Sequence, residues 1–318
     1  MNKNDELIKD EVMPIYYFLS FANKLRFFYK LCEGVQKYSM GYAPLFLSKW
    51  LGKKFSPYRV YLPHVRRSLL YIQLNNCKEA IQKQCDSWLE SHGIFCNSIF
   101  KFNTMNSWLE NETINTSTEM IKKLSNTGGL VLSYHSFHHN LLLSYLSVVT
   151  HKPVFVFAAP EKNCAYYPYT GKYTQIINSK TQKLFNGGEY LFTDNLKKSL
   201  SLAKKALQKN EIVISLNDNP AFGNGIETHY FMGKKFSLAT GSIRIALEQK
   251  KPIYASIFYP DLHGKYVFQL IELRTDSVHS VISDYLNFLQ MHVSKSSYCW
   301  QGLFWFADLE KEEQYEHK

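Results

Sequence analysis

The sequence predicts an α/β protein, with a mostly parallel central sheet flanked by helices and a helical amino-terminal extension. Three observations carry this expectation. Beyond about residue 128, short apolar runs alternate with stretches of helical spacing, the pattern of a parallel sheet wrapped by helices. Before residue 110, apolar residues recur instead at three-and-four spacing. A chain of 318 residues with 45% hydrophobic content can bury a large core without dividing into several domains. The expected organisation is therefore a helical extension over residues 1–110 packed on an α/β unit over residues 111–318, the two forming one structural unit.

Taken in order, the helical spacing runs through Ile15 to Leu31 and again through Leu69 to Phe100, with Pro44, Pro57 and Pro63 punctuating the region between. The polar stretch Asn111 to Asn126 reads as a surface connection holding a short helix, Glu119 to Leu124. Strands are expected at Leu130 to Tyr134, Pro153 to Ala158, Tyr190 to Phe192, Glu211 to Leu216, Pro252 to Phe258 and Tyr266 to Glu272. Helices are expected at Leu141 to Val149, Lys172 to Phe185, Asn195 to Lys209, Leu238 to Gln249 and Val278 to Val293. The aromatic segment His229 to Phe236 reads as a hairpin.

The net charge of +10 is unevenly spread. Between Val12 and Leu70 stand ten Lys or Arg and one acid, Glu33, whereas the stretch after Ala307 is mostly acidic. A basic, aromatic-rich first third fits either an anionic partner or a solvated face. The segment PIYYFLSFANKLRFFYKL reads either as a helix on the protein's own core or as one lying in a membrane interface. Its apolar part, Met13 to Ala22, is about half the roughly 20 residues that a membrane span requires. The six cysteines form no CxxC pair and no zinc-finger spacing, so reduced cysteines are expected. The start MNKNDELIKDEV lacks a secretory pattern, and a cytoplasmic protein, soluble or peripheral on the membrane, is expected. The basic residues form no recognisable nucleic-acid module. Metal motifs of the HxxE and HExxH kinds are absent, and neither a metal nor a cofactor is expected.

The chemistry concentrates on Gly128 to Val149, GGLVLSYHSFHHNLLLSYLSVV. Two glycines open an apolar strand that delivers His135 to its carboxyl end, where open α/β sheets place their active sites. A neutral imidazole is the commonest general base and needs a partner on its other nitrogen to fix the tautomer. In His135-x4-Asn140 that partner is expected to be Asn140, and the helix start offers backbone N–H groups to a developing oxyanion. Taken without its surroundings, the same pattern fits a structural histidine. A second strand, Ile212 to Leu216, brings Asn217, Asp218 and Asn219 to the same edge. The glycine-containing loop Phe222 to Gly225 follows, and Thr240-Gly241-Ser242 opens a helix carrying Arg244. A turn carboxylate is the plainer reading of Asp218.

The order of these features resembles the lysophospholipid/lipid A biosynthesis acyltransferase family. The features are Gly-Gly-strand-His135-x4, strand-Asp218, Phe231-Met232-Gly233 and Thr240-Gly241-x-x-Arg244-x-Ala246, together with Arg66-Arg67-Ser68-Leu69-Leu70 and Tyr298-Cys299-Trp300. The resemblance covers about Val65 to Trp300. It implies transfer of a fatty acyl chain from acyl carrier protein or coenzyme A to a hydroxyl or amine of a lipid or natural-product acceptor. It also implies that His135 is the base and that Asp218 and Arg244 shape the site. The acyl thioester is then a co-substrate and no cofactor is needed.

Three departures from the resemblance stand out: Asn140 stands where relatives carry Asp or Glu, Phe157-Ala158-Ala159-Pro160 where they carry an Arg, and no segment here is expected to serve as the membrane anchor of the lipid A enzymes. An amide orients an imidazole without stabilising its charged form, so a weaker base is expected. Either Asn140 suffices for an amine acceptor, or His138 and His139 take part at the site, or the fold has lost catalysis and binds a lipid or carrier protein. A specialised acyltransferase is the favoured expectation.

Overall fold

The computed structural model describes residues 15–38, 43–72, 78–100, 110–111, 113–159, 175, 177–221, 225–261 and 263–309. Four helices come first: α1 (Ile15–Tyr38), α2 (Leu45–Phe55), α3 (Leu62–Ile72) and α4 (Lys78–Phe100). The strands of the main sheet are β1 (Thr113–Asn115), β2 (Gly129–Ser133), β3 (Val154–Ala158), β4 (Tyr190–Phe192), β5 (Ile212–Leu216), β8 (Ile253–Pro260) and β9 (Tyr266–Glu272). Between β5 and β8 stand β6 (Ile226–Phe231) and β7 (Lys234–Ala239), a separate antiparallel hairpin. Further helices are α5 (Thr118–Thr127), α6 (His139–Thr150), α7 (Leu196–Gln208), α8 (Gly241–Glu248) and α9 (Val278–Ser296).

The seven-stranded sheet has the order β1-β9-β8-β2-β5-β3-β4. Every neighbouring pair is parallel except β8 with β9. The central strands β2 and β5 are buried on both faces, which explains their near-continuous apolar sequences, GLVLS and IVISL. Connections leaving β2 and β5 run in opposite directions across the sheet, to β3 on one side and β8 on the other.

The two glycines at the start of β2 are required by space. A Cβ on Gly128, whose φ is 62°, would lie 2.3 Å from the backbone of Asn210. One on Gly129 would lie 2.6 Å from the carbonyl oxygen of Pro252. Backbone from the β5 and β8 sides therefore closes on this entry, and only a residue without a side chain passes.

Several element boundaries differ from expectation. The polar stretch read as a connection contains β1, a short edge strand whose register follows β9 and not any hydrophobic pattern of its own. Leu238 and Ala239 belong to β7, so α8 starts later, at Gly241. The hairpin extends beyond His229 to Phe236 at both ends. Of the helix expected over Lys172 to Phe185, residues 177–182 are helical, while 172–174 and 176 lie outside the described residues. Residues 222–224 of the glycine-containing loop and Pro160 also lie outside them. Among the described residues, no helix is long and apolar enough to cross a membrane. Cys32, Cys85, Cys96 and Cys299 are buried and free, and Cys77 and Cys164 lie outside the described residues.

Candidate active site

The site follows from strand register. In the parallel pair of β2 and β5, Gly129 faces Ile212 and Ser133 faces Leu216, a constant offset of 83 residues. Continuing that offset two residues past both strands sets His135 beside Asp218. Asp218 is fully buried, and its Oδ1 accepts hydrogen bonds from the His135 backbone N–H (2.8 Å) and from Nδ1–H of the ring (2.6 Å). The indole Nε1–H of Trp300 donates to Oδ2 at 2.8 Å. A carboxylate is acceptor-only, so it assigns the proton to Nδ1 and leaves Nε2 as the basic nitrogen. The His135 side chain is 28% exposed, so the ring is open to solvent while its partner is not.

The surrounding backbone is fixed by its own hydrogen bonds. Ser133 O accepts from Asn217 N–H (2.8 Å) and from the hydroxyl of Tyr285 on α9 (2.6 Å), which locks the ends of β2 and β5 together. Asn217 reaches Ala239 O with its Nδ2 (3.1 Å) and accepts from Ser215 Oγ (2.6 Å). On the other side His135 O accepts from Gln301 N–H at 2.9 Å, and Ser136 pairs with Trp300 as an isolated bridge. The segment around Trp300 thus closes over the histidine loop. A Cβ on Gly302 would lie 2.2 Å from the Trp300 ring, so the glycine is what lets the indole lie where Asp218 needs it.

Asp218, rather than Asn140, holds the His135 ring. Asn140 is buried in the first turn of α6, and among the described residues no hydrogen bond joins it to His135. The first turn begins at His139 and turns this position inward, whereas the β5 edge lies directly against His135. The carboxylate beside the ring therefore comes from the end of the neighbouring strand and not from the helix start.

His138 is likewise not part of the open site. Its ring is sealed between Ser91 Oγ (3.0 Å to Nε2) and the Tyr266 hydroxyl (3.2 Å to Nδ1), joining α4 to β9. His139 does lie beside His135, with ring centroids 5.8 Å apart, and its Nδ1–H donates to Ser136 O at 2.6 Å. Arg244 is exposed and donates from Nε to Thr240 Oγ1 (2.9 Å). No hydrogen bond or ion pair joins it to His135 or Asp218 among the described residues. The backbone amides of His138 and His139 donate to Ser136 Oγ (3.1 Å) and Ser136 O (3.3 Å), so these two are not the free oxyanion donors expected of the helix start.

Burial keeps the neighbouring histidines uncharged. It pushes His92 down to about 3; His138 falls to about 3 through burial and then the nearby His92; His139 falls to about 4 through burial and then His135. The unfolded chain takes up these protons near pH 6.5, well before the folded one does. Between those values the unfolded state binds more protons, so stability is present above about pH 6.5 and is lost as the pH falls. At pH 5 the two sealed rings, His92 and His138, are each expected to remove about 2 kcal/mol relative to neutral pH. Urea unfolding at pH 7.5 and 5.0 checks this: the midpoint should fall markedly, and an unchanged midpoint would refute it.

A surface depression of about 520 Å³, lined by Gln182, Lys183, Tyr190 and Phe192 among others, lies at the β4 edge and includes no residue of the His135 centre. A scan against protein-family models finds no match to this chain, and a search of curated proteins likewise finds no significant match.

Proposed function

We propose that the chain is an acyltransferase that moves an acyl group from a thioester, carried by acyl carrier protein or coenzyme A, to a hydroxyl or amine. The observation that carries this reading is the pair of a solvent-open His135 and a buried Asp218 at the carboxyl ends of adjacent central strands. The resemblance in motif order from Val65 to Trp300 supports the choice of acyl transfer over other base-catalysed reactions.

In this reaction Nε2 of His135 takes the acceptor's proton as its oxygen or nitrogen attacks the thioester carbonyl. Asp218 holds the ring and stabilises the imidazolium that results. The tetrahedral intermediate then expels the thiolate, which takes the proton back from the imidazolium, leaving acyl product, free thiol and a neutral histidine. General-base assistance of this kind contributes about 10²–10⁴-fold. Incubating the protein with an acyl thioester and hydroxyl or amine acceptors tests the proposal. Thiol release coupled to an acceptor of increased mass is expected, and thioester left intact with every acceptor class would overturn it.

Peripheral contact with a lipid surface belongs to the same reading. Phe27, Phe46, Trp50 and Phe55 are exposed on α1 and α2, and Phe55 packs edge-on with both Phe27 (6.2 Å) and Trp50 (5.5 Å). Lys49, Lys53 and Lys54 lie on the same helix as three of these rings. Aromatic rings flanked by cations are the composition of an interfacial helix. Sedimentation with anionic phospholipid vesicles should recover the protein. Replacing both Phe46 and Trp50 by Ser should weaken binding about tenfold or more, from the apolar area lost. Equal recovery of the two proteins would refute the contact. The same patch fits a non-catalytic subunit that binds lipid or a carrier, a reading separated from catalysis by the His135 variant considered in the Discussion.

A further inference from the structure

We propose that Glu227, His229 and His279 form a zinc-binding site that ties the β6–β7 hairpin to the first turn of α9. It is independent of the His135 centre and of the acyltransferase reading.

The three side chains converge for local reasons. Glu227 and His229 are two apart on β6, and the pleat sends both to one face while Thr228 between them points outward to Ser237 Oγ (2.8 Å). His279 is the second residue of α9. A reciprocal capping box fixes that helix start, Ser277 and Ser280 each accepting from the other's backbone N–H at 3.0 Å. Oε1 of Glu227 then meets Nε2 of His229 at 2.8 Å and Nδ1 of His279 at 2.9 Å. The three potential ligand atoms all lie within 4.8 Å of one another, and the two imidazoles stack with centroids 4.5 Å apart.

Two imidazole nitrogens and one carboxylate oxygen are a donor set that zinc takes readily, with a fourth position left for water. Bonds of about 2.0–2.2 Å arranged tetrahedrally separate ligand atoms by roughly 3.3–3.5 Å. The two hydrogen-bonded separations therefore need to open only by about half an ångström. The parts differ in freedom. The His229 side chain is nearly buried, and its Nδ1 faces Ser283 Oγ on α9 at 3.5 Å, the position where ligating histidines are held by an outer partner. His279 is 72% exposed, so core packing does not oppose the small shift of its ring that an ion requires. Glu-x-His on a strand matches no helical metal motif and the third side chain lies 50 residues away, so these residues carried no metal signal in the sequence.

Zinc titration of the full-length, untagged, metal-stripped protein by calorimetry, beside His279→Ala and Glu227→Gln, tests the site. Because His279 is exposed, its replacement leaves the fold in place, as circular dichroism would verify. One zinc bound tighter than about 1 µM, weakened by more than about 100-fold in both variants, is the expected result. Zinc should also raise the thermal midpoint of the wild type by several degrees and that of His279→Ala by none. Weaker wild-type binding, or binding undiminished in His279→Ala, would overturn the proposal and leave a hydrogen-bonded carboxylate with two histidines.

Discussion

Replacing Asp218 by Asn is expected to lower kcat by about 10³–10⁴, the effect of losing the carboxylate of an imidazole–carboxylate pair. The reason lies in the donors that converge on this side chain. Oδ1 accepts two hydrogen bonds from His135, and Oδ2 accepts the indole N–H of Trp300. An amide has one acceptor oxygen, so its NH2 group must face either the histidine donors or the indole donor. One buried donor is then left without a partner, at about 1–3 kcal/mol, or else the ring adopts the tautomer in which Nε2 carries the proton. In that tautomer Nε2 cannot act as a base. Asn140→Ala serves as the comparison and should cost less than tenfold, a small loss relative to the carboxylate effect. Steady-state kinetics of the two variants decide between the partners: a larger loss in Asn140→Ala would return the orienting role to the helix residue.

His135→Ala should reduce transfer by at least about 10³ while donor binding is retained. The ring is partly exposed and its loss opens no core cavity, so the fold should persist, as near-ultraviolet circular dichroism would check. Thioester affinity within twofold of the wild type, measured with the same variant, separates chemistry from binding. If a wild type that turns over acyl thioester keeps its rate in His135→Ala, the imidazole is not the base. If neither protein turns over donor but both bind it, the non-catalytic lipid- or carrier-binding role becomes the better account.

Much of the architecture was legible because each central strand is predominantly apolar and each is bounded by a glycine, a proline or a polar turn. The β2 and β5 segments, GLVLS and IVISL, read as strands without help from their neighbours. β1 was not legible, since Thr113 to Asn115 pairs only because β9 offers an edge. At the site, His135 and Asp218 were both singled out, but their contact was not. The signal was present: each stands two residues beyond a five-residue strand, so parallel pairing of those strands brings them level. Choosing Asn140 instead gave weight to sequence nearness, although the first turn of α6 directs this residue into the core. The part of Trp300 had no local signal, because its indole reaches Asp218 across 82 residues of chain.

The closure of the histidine loop by the Trp300 segment has a consequence for biosynthesis. A polypeptide emerging from the ribosome can pair β2 with β5 once residue 216 is free. Its aspartate then still lacks the indole donor, and His135 O still lacks the Gln301 amide. Both donors lie at least 82 residues beyond Asp218 and reach the site only after that length of chain has been made. The pair of His135 and Asp218 therefore gains its last two donors only once residues 300 and 301 exist, by which point α9 and the Tyr285 bond to Ser133 are also available.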